Sequence, residues 1–381
     1  MKVLLVGFRF DAAGGLEIVS AGLAKALAKL GHTVECAAAN MPDSSQADGY
    51  KVVGLAPRSR WLHSLHVRWQ SLTSGGRLRR MLEWCDVVIV CHCHLLPFVQ
   101  RCLPSGSLRP GVVAWLHGRE VWGAFASTYG PALRQADLLV AVSKHTSDTV
   151  VDAIGERHRP MVIPNPVDTD VFHPLPDAAG VNRWSLFTVG RHDQDTQHKG
   201  YDLVLEALAL LRKREPSLPM TLTIGGGGPR LPVLQQLASR LGIADQVRFP
   251  GKLSRAELVR QLATADLFVF PSRVVSIGND VWGEGFGVVN IEAAACGRPV
   301  LTSTHGGCPE TIQNSRTGIL VDPTSAATIA DGIGTIFRLS ADDRDAMGRR
   351  GREFVVEQFS FPAYSRRLEL LLERMTQPAT T

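Results

Sequence analysis

The 381-residue sequence has no uninterrupted apolar stretch long enough to cross a bilayer. Any membrane contact it makes is therefore expected to be peripheral. Neither sign of charge is in great excess: 41 Lys and Arg against 36 Asp and Glu leave a formal net charge of +5. So small a surplus over this length gives no argument for a nucleic-acid partner. The seven cysteines are odd in number and irregularly spaced. That excludes a regular disulfide framework and suggests reduced thiols in a cytosolic protein. Glycine, at 36 residues, follows no repeat, which removes the collagenous and linker-rich classes. The opening apolar run, Val3 to Val6, is short and soon followed by Arg9 and Asp11. It reads as a buried first strand rather than a signal peptide.

What is present is a repeated strand–helix alternation. Apolar runs end in glycine or small polar residues and give way to helical patterns: Val3–Val6, His32–Ala38, Val52–Leu55, Asp86–Cys91, Val112–Leu116, Asp137–Val142 and Met161–Ile163. Four prolines, Pro164, Pro166, Pro174 and Pro176, then interrupt the chain, as an interdomain linker would. The alternation restarts at Ser185–Val189 and continues through Met220–Ile224, Gln246–Phe249, Leu267–Phe270, Pro299–Thr302 and Gly318–Val321. Helices are expected over Leu16–Leu30, Tyr201–Arg214, Leu231–Leu241, Arg255–Thr264, Val288–Cys296 and Phe361–Met375. The expected fold class is α/β, with two doubly wound parallel sheets in tandem. Ligands of such sheets bind at the carboxyl ends of the strands, so the default site is a cleft between the two units.

Four features fall at such strand ends. Gly14-Gly15 follows the first strand, where a tight turn and a helix N-terminus could receive an anion; two glycines also suit any βα turn. Gly190-Arg191 and Lys199-Gly200 flank one βα loop of the second unit. An arginine and a lysine so placed could clamp a diphosphate and stabilise it as it leaves, or form a solvated basic loop. Gly225 to Gly228, before Pro229, allow close approach of phosphate or ribose. That stretch has neither the dinucleotide G-x-G-x-x-G pattern nor the G-K-[ST] ending of an ATP loop. Last, Glu284 on a glycine-rich loop precedes Glu292 by eight positions. The two carboxylates could accept hydroxyls of sugar and ribose, although spacing alone favours a surface acid and a helix acid.

The run EGFGVVNIEAAACGRPVLTSTHGGCPE, from Glu284, resembles the E-x7-E signature of the retaining GT-B glycosyltransferases of family 4. Other motifs occur in that family's order over nearly the whole chain: the GG loop, Val142-Ser143, Ile163-Pro164-Asn165-Pro166-Val167-Asp168, Gly190-Arg191 with Lys199-Gly200, and Gly226 to Pro229. The resemblance implies a GT-B fold of two Rossmann-like domains facing across a cleft. These would be an acceptor domain over 1–170, a nucleotide-sugar donor domain over 171–358, and a closing helix within 359–381 packing back near the hinge. It implies that Arg191 and Lys199 bind the donor diphosphate, that Glu292 holds the ribose hydroxyls, and that Glu284 contacts the donor sugar. His117, in WLHGRE, matches the family histidine beside that sugar. Gly14, Gly15, Gly190, Gly226, Gly228, Gly285, Phe286 and Gly287 complete the donor-binding set. Pro166 stands where the family often has glycine, a departure that touches the linker rather than the chemistry.

The implied activity is transfer of a hexose from a UDP- or GDP-sugar, with retention, to a glycan or lipid-linked acceptor. Lipopolysaccharide core or exopolysaccharide synthesis is the expected setting, on the inner face of the plasma membrane. No covalent nucleophile stands out and no cofactor is implied. The alternatives are a GT-B nucleotide-sugar epimerase and a non-catalytic nucleotide-sugar-binding protein. A phosphorylase would need a cofactor lysine in a context absent from the chain.

No metal site is expected. Asp168-Thr-Asp170 and Asp193-Gln-Asp195 fit the D-x-D text of metal-dependent transferases but lie in the linker and the clamp loop. Cys91-His-Cys-His94 lacks zinc spacing, and its one-residue alternation would send side chains to opposite faces of a continuing strand. From Arg58 to Arg80 there are six arginines and no acid, with Trp61, Leu62, Leu65, Trp69 and Leu72 on one helical stripe. Such a helix suits an anionic membrane surface, or equally the face of a domain.

Overall fold

The computed structural model describes residues 1–11, 15–41, 44–47, 49–55, 66–106, 109–175, 184–193, 197–278 and 280–377. They form two compact units: Met1–Pro166 with Tyr364–Thr381, and Val167–Ala363.

Unit 1 contains β1 (Lys2–Gly7), α1 (Gly15–Lys29), β2 (Thr33–Ala38), β3 (Ser44–Ala47), β4 (Tyr50–Gly54), α2 (His66–Trp84) and β5 (Val87–Val90). It continues with α3 (Leu96–Cys102), β6 (Gly111–Leu116), α4 (Ala124–Leu133), β7 (Leu138–Ala141), α5 (Lys144–Ile154) and β8 (Met161–Val162). The eight strands run in the order β3-β4-β2-β1-β5-β6-β7-β8. All neighbours are parallel except the edge strand β3, which pairs antiparallel with β4. Central strands such as β5 are apolar at every position because helices cover both faces of a parallel sheet.

Unit 2 contains β9 (Ser185–Val189), α6 (Tyr201–Arg214), β10 (Thr221–Gly225), α7 (Leu231–Arg240), β11 (Val247–Gly251), α8 (Arg255–Thr264) and β12 (Leu267–Phe270). A short antiparallel hairpin follows, β13 (Val275–Ile277) and β14 (Asp280–Trp282), then α9 (Val288–Ala295), β15 (Val300–Ser303) and β16 (Gly318–Val321). Three helices close the chain: α10 (Ala326–Phe337), α11 (Ala341–Phe359) and α12 (Phe361–Thr376). The six-stranded sheet is wholly parallel, in the order β11-β10-β9-β12-β15-β16. Chain order reverses between β9 and β12, which is the doubly wound arrangement. From Tyr364 onward α12 belongs to unit 1, where the Tyr364 ring lies 6.3 Å from that of Trp115 on β6.

Two aspartates that read as the first residues of strands, Asp86 and Asp137, stand just outside them and, like Asp266 before β12, cap the neighbouring strand. Asp86, Asp137 and Asp266 accept the backbone N–H of Lys2 (2.8 Å), Val112 (2.7 Å) and Ser185 (2.8 Å). Each satisfies a donor that the sheet ladder leaves open. Ser143, after β7, caps α5 by accepting the N–H of Thr146 at 3.1 Å. The hairpin β13–β14 and the helices α10 and α11 are absent from the sequence expectations.

Candidate active site

In unit 2 the loops after β9 and β12 leave adjacent strand ends on either side of the reversal. Such a point opens a crevice at the carboxyl edge of the sheet. The first loop carries Gly190, Arg191 and Lys199, and the second leads through the hairpin to Glu284.

The loop after β9 is locked onto the glycine turn after β10. Gly190 N–H donates to Gly225 O (3.2 Å), His192 N–H to Gly227 O (3.0 Å) and Arg230 N–H to His192 O (2.9 Å). Gly226 has φ +112°, and a Cβ there would lie 1.8 Å from Gly190 O. Gly228 has φ +148°, and its Cβ would lie 2.5 Å from the carbonyl of His192. Loop-to-loop packing by itself therefore demands glycine at both positions. His192 is fully buried beneath this junction, with Nε2–H donating to Gly225 O (3.1 Å) and its ring 4.7 Å from that of Tyr201. The Tyr201 hydroxyl lies 2.3 Å from where a Cβ on Gly190 would stand, so that glycine makes room for the phenol.

Of the two cations on the loop, Arg191 is open to solvent, its side chain 79% exposed, and pairs with Asp193 at 2.9 Å. Lys199 is shielded, 15% exposed, and its Nζ meets Glu284 Oε1 at 2.5 Å. His198 Nε2 approaches the same oxygen at 3.7 Å. Burial works against ionisation of Glu284. The charge of Lys199, the nearby His198 and the hydrogen bond from Lys199 outweigh it, and the carboxyl sits well below its usual range. The structure thus brings Lys199 and Glu284 into direct contact.

Glu292, on α9, stands in a different environment. Burial pushes its carboxyl up to about 7, with the charge of Arg255 on α8 countering only part of the effect. Gly287 opens α9 at φ +94°, and Asn290 ties the helix down by donating to Thr302 Oγ1 (3.0 Å) and Thr311 Oγ1 (3.1 Å). Gly307 packs on Gly285: its Cβ would lie 2.1 Å from Gly285 O, while its N–H donates to Glu284 O (3.0 Å). The Phe286 side chain is buried, 5.4 Å from the Phe359 ring. It belongs to the core, so the position offers a ligand only its backbone.

In unit 1, His117 follows β6. Its Nε2–H donates to Cys91 O (2.9 Å), its backbone N–H is received by the Glu120 carboxylate, and Nδ1 is left without a partner. Burial lowers the imidazole to about 4, so the ring is neutral near pH 7. Gly15 opens α1, and a Cβ there would meet nothing within 4 Å. Gly14 lies outside the described residues.

The sequence-derived alternation of Cys91 to His94 is corrected by the structure. β5 ends at Val90 and a 3-10 turn, Cys93–Leu95, follows. The turn gathers the ligand atoms of His92, Cys93 and His94 to within 4.8 Å of one another. Asp168 is engaged locally, its Oδ1 accepting the N–H of Asp170 (3.2 Å) and Val171 (3.3 Å). Gln194 and Asp195 lie outside the described residues, as does the stretch 56–65 of the basic segment. The side chains of 66–74, among them Trp69 and Leu72 of the expected stripe, also lie outside the described structure; from Gly75 to Arg80, Leu78 of α2 is buried and Arg77 donates to Gly54 O (2.8 Å). None of the described helices is long and apolar enough to cross a membrane.

Three residues at the centre of the site escaped the sequence reading: His192, His198 and Tyr201. His198 had a weak signal, standing immediately before the clamp lysine. The other two are visible only once the loops are folded.

Comparison with known proteins bears on the family and the fold. Residues 13–171 match the family described as Glycosyltransferase Family 4, and residues 181–354 the one described as Glycosyl transferases group 1. A GDP-mannose-dependent alpha-(1-6)-phosphatidylinositol monomannoside mannosyltransferase of Mycolicibacterium smegmatis is 36% identical over 348 residues, covering 87% of this chain and 86% of its own. Among solved structures, sucrose-phosphate synthase from Thermosynechococcus elongatus superposes with a TM-score of 0.78 at 20% identity, covering 98% of each chain. Anabaena Alr3699/HepE in complex with UDP and glucose gives a TM-score of 0.74 at 19% identity, covering 98% of this chain and 100% of the other. The fold they share is GT-B.

Proposed function

The chain belongs to glycosyltransferase family 4, and from that premise we propose that it transfers mannose from GDP-mannose, with retention, to a lipid-linked polyol or glycan acceptor. The observation that carries the reading is the pairing of Lys199 with Glu284 at the reversal of the unit 2 sheet, with the exposed Arg191 at the start of the same loop. One loop there supplies two cations, and the facing loop supplies a carboxylate kept ionised.

In this reading Arg191 and Lys199 receive the donor diphosphate and stabilise the charge that develops on it as the glycosidic bond breaks. The leaving phosphate oxygen accepts the acceptor's proton on the face from which it departs, so the configuration is kept. Glu284 accepts hydroxyls of the sugar and Glu292 those of the ribose. His117, neutral, orients the sugar rather than exchanging protons with it. Two cations on one loop neutralise a diphosphate much as a divalent ion would, and the reaction is expected to proceed in EDTA. The mannose donor and the lipid-linked acceptor rest on likeness to the Mycolicibacterium smegmatis enzyme, whose name gives both.

The test is nucleotide release from a panel of GDP- and UDP-sugars in EDTA, with a mannosylated inositol phospholipid added or withheld. Release of GDP from GDP-mannose, stimulated by the lipid, is the expected result. Release from a UDP-sugar alone would move the donor assignment, and a strict divalent-metal requirement would overturn the mechanism.

A further inference from the structure

Glu284 is approached by two consecutive residues of one turn. The 3-10 turn Gln197–Lys199 sends both His198 Nε2 and Lys199 Nζ to the same oxygen, at 3.7 and 2.5 Å. The turn itself is firmly held. The His198 carbonyl accepts Ser272 Oγ–H (3.2 Å) and Arg273 N–H (2.7 Å), and Arg273 also bonds Asp202 (3.0 Å) and Gln197 O (3.2 Å). Gly200, at φ +74°, lies so close to Pro271 that a Cβ would stand 2.5 Å from its carbonyl oxygen. Within this rigid turn the two side chains differ in freedom. The imidazole is short and its side chain only 9% exposed, with the Trp282 ring 6.3 Å away. The lysine has four rotatable methylenes, and its Nζ stands over the Phe270 ring, 5.2 Å from the centroid.

A lysine held by a carboxylate cannot give its full charge to a diphosphate. If it leaves, the carboxylate, itself 20% exposed, is stranded without its main partner. Among the described residues, the Tyr201 phenol and the Cys308 thiol also feel the Glu284 charge, both raised by burial first and then by that charge, so neither replaces a cation. Arg273 is engaged with Asp202. His198 is the group already in place.

We propose that His198 is a positioning residue: it holds the Glu284 carboxylate when the donor diphosphate draws Lys199 away, so the cation changes partner while the sugar-facing carboxylate stays fixed. This deepens the reading of Lys199 as a diphosphate ligand and rests on it.

The test is a thermodynamic cycle on the full chain: wild type, His198→Ala, Glu284→Gln and the double variant. Binding of GDP and of UDP is measured by calorimetry in EDTA, and thermal unfolding is recorded for each protein. In the wild-type background His198→Ala should weaken binding of the preferred nucleotide about tenfold, by raising the cost of freeing Lys199. In the Glu284→Gln background, where no carboxylate is stranded, the same substitution should change it less than about twofold. His198→Gln, whose amide can donate to the carboxylate, should recover most of the affinity. An equal loss in both backgrounds would assign His198 to packing alone, and no loss in either would remove it from the site; each overturns the proposal. If the wild-type chain binds neither nucleotide, the reading of Arg191 and Lys199 as diphosphate ligands falls and takes this proposal with it. Nucleotide binding with an additive cycle leaves that reading standing and refutes only the role of His198.

Discussion

Lys199 and Glu284, 85 positions apart in the chain, form an ion pair across two loops that leave adjacent strands of one sheet. The contact satisfies both shielded groups. Replacing Lys199 with methionine should strand the carboxylate and lower stability by about 2–4 kcal/mol. Adding Glu284→Gln should then recover part of the loss, since no buried charge remains. Urea unfolding of the four proteins checks this, and strictly additive losses would contradict the pairing.

The two signature carboxylates should have opposite effects on stability as pH changes. Glu284 is held below its unfolded value, so its contribution is present above about pH 4.5 and is lost as pH falls through the lower folded value. Glu292, raised to about 7, favours folding below about pH 4.5, and that contribution is lost as pH rises through 7. Glu292→Gln should therefore match wild type near pH 4.5 and be more stable at pH 8 by about 1–3 kcal/mol, at the expense of nucleotide affinity. Thermal unfolding across that range tests the sign. A variant less stable than wild type at pH 8 would contradict the assignment.

The glycine turn offers a paired test of packing. Gly226→Ala drives a Cβ into Gly190 O at a left-handed φ, whereas at Gly227 the nearest atom to a Cβ is 3.8 Å away. The first substitution should cost about 2–4 kcal/mol and the second less than about 1 kcal/mol. Equal costs in denaturant unfolding would mean that the loops are not interlocked.

His117 should stay neutral across the working range, because burial places its titration near 4. Its imidazole resonances should not move between pH 5.5 and 8 in an NMR titration (limits set about one unit or more above that midpoint). A midpoint close to the ordinary histidine value would refute the buried, singly bonded ring. It would also reopen a proton-transfer role.

Much of the architecture was legible because parallel strands buried on both faces are continuous apolar runs, such as Val87–Val90 and Leu267–Phe270. The errors have particular causes. Asp86 and Asp137 read as strand residues because a capping carboxylate and a strand start look alike in one dimension. Helices α10 and α11 carry interior glycines that resemble breakers. Gly332 and Gly348 are there because a Cβ would lie 2.6 Å from Val321 Cγ1 and 2.0 Å from Gly297 O, contacts that no local pattern encodes. Gly226 and Gly228 were noticed for the ligand they would admit, yet each is already required by the neighbouring loop. Motif order marked Lys199 and Glu284, and these two the structure brings into contact. The candidate site was not legible at His192 and Tyr201, whose place depends on folded loops. The gathering of His92, Cys93 and His94 was missed because the strand ends at Val90, one residue before its apolar run does, and a 3-10 turn follows.

The most direct test of the central claim is the anomeric configuration of the product. The purified chain is incubated in EDTA with GDP-mannose, whose mannose is α-linked, and a mannosylated inositol phospholipid, and the new linkage is assigned by NMR. An α-mannosyl product, formed with stoichiometric GDP and lost in Lys199→Ala, is the predicted outcome. A β-linked product, or undiminished transfer by Lys199→Ala, would contradict retention at a site built on Lys199 and Glu284.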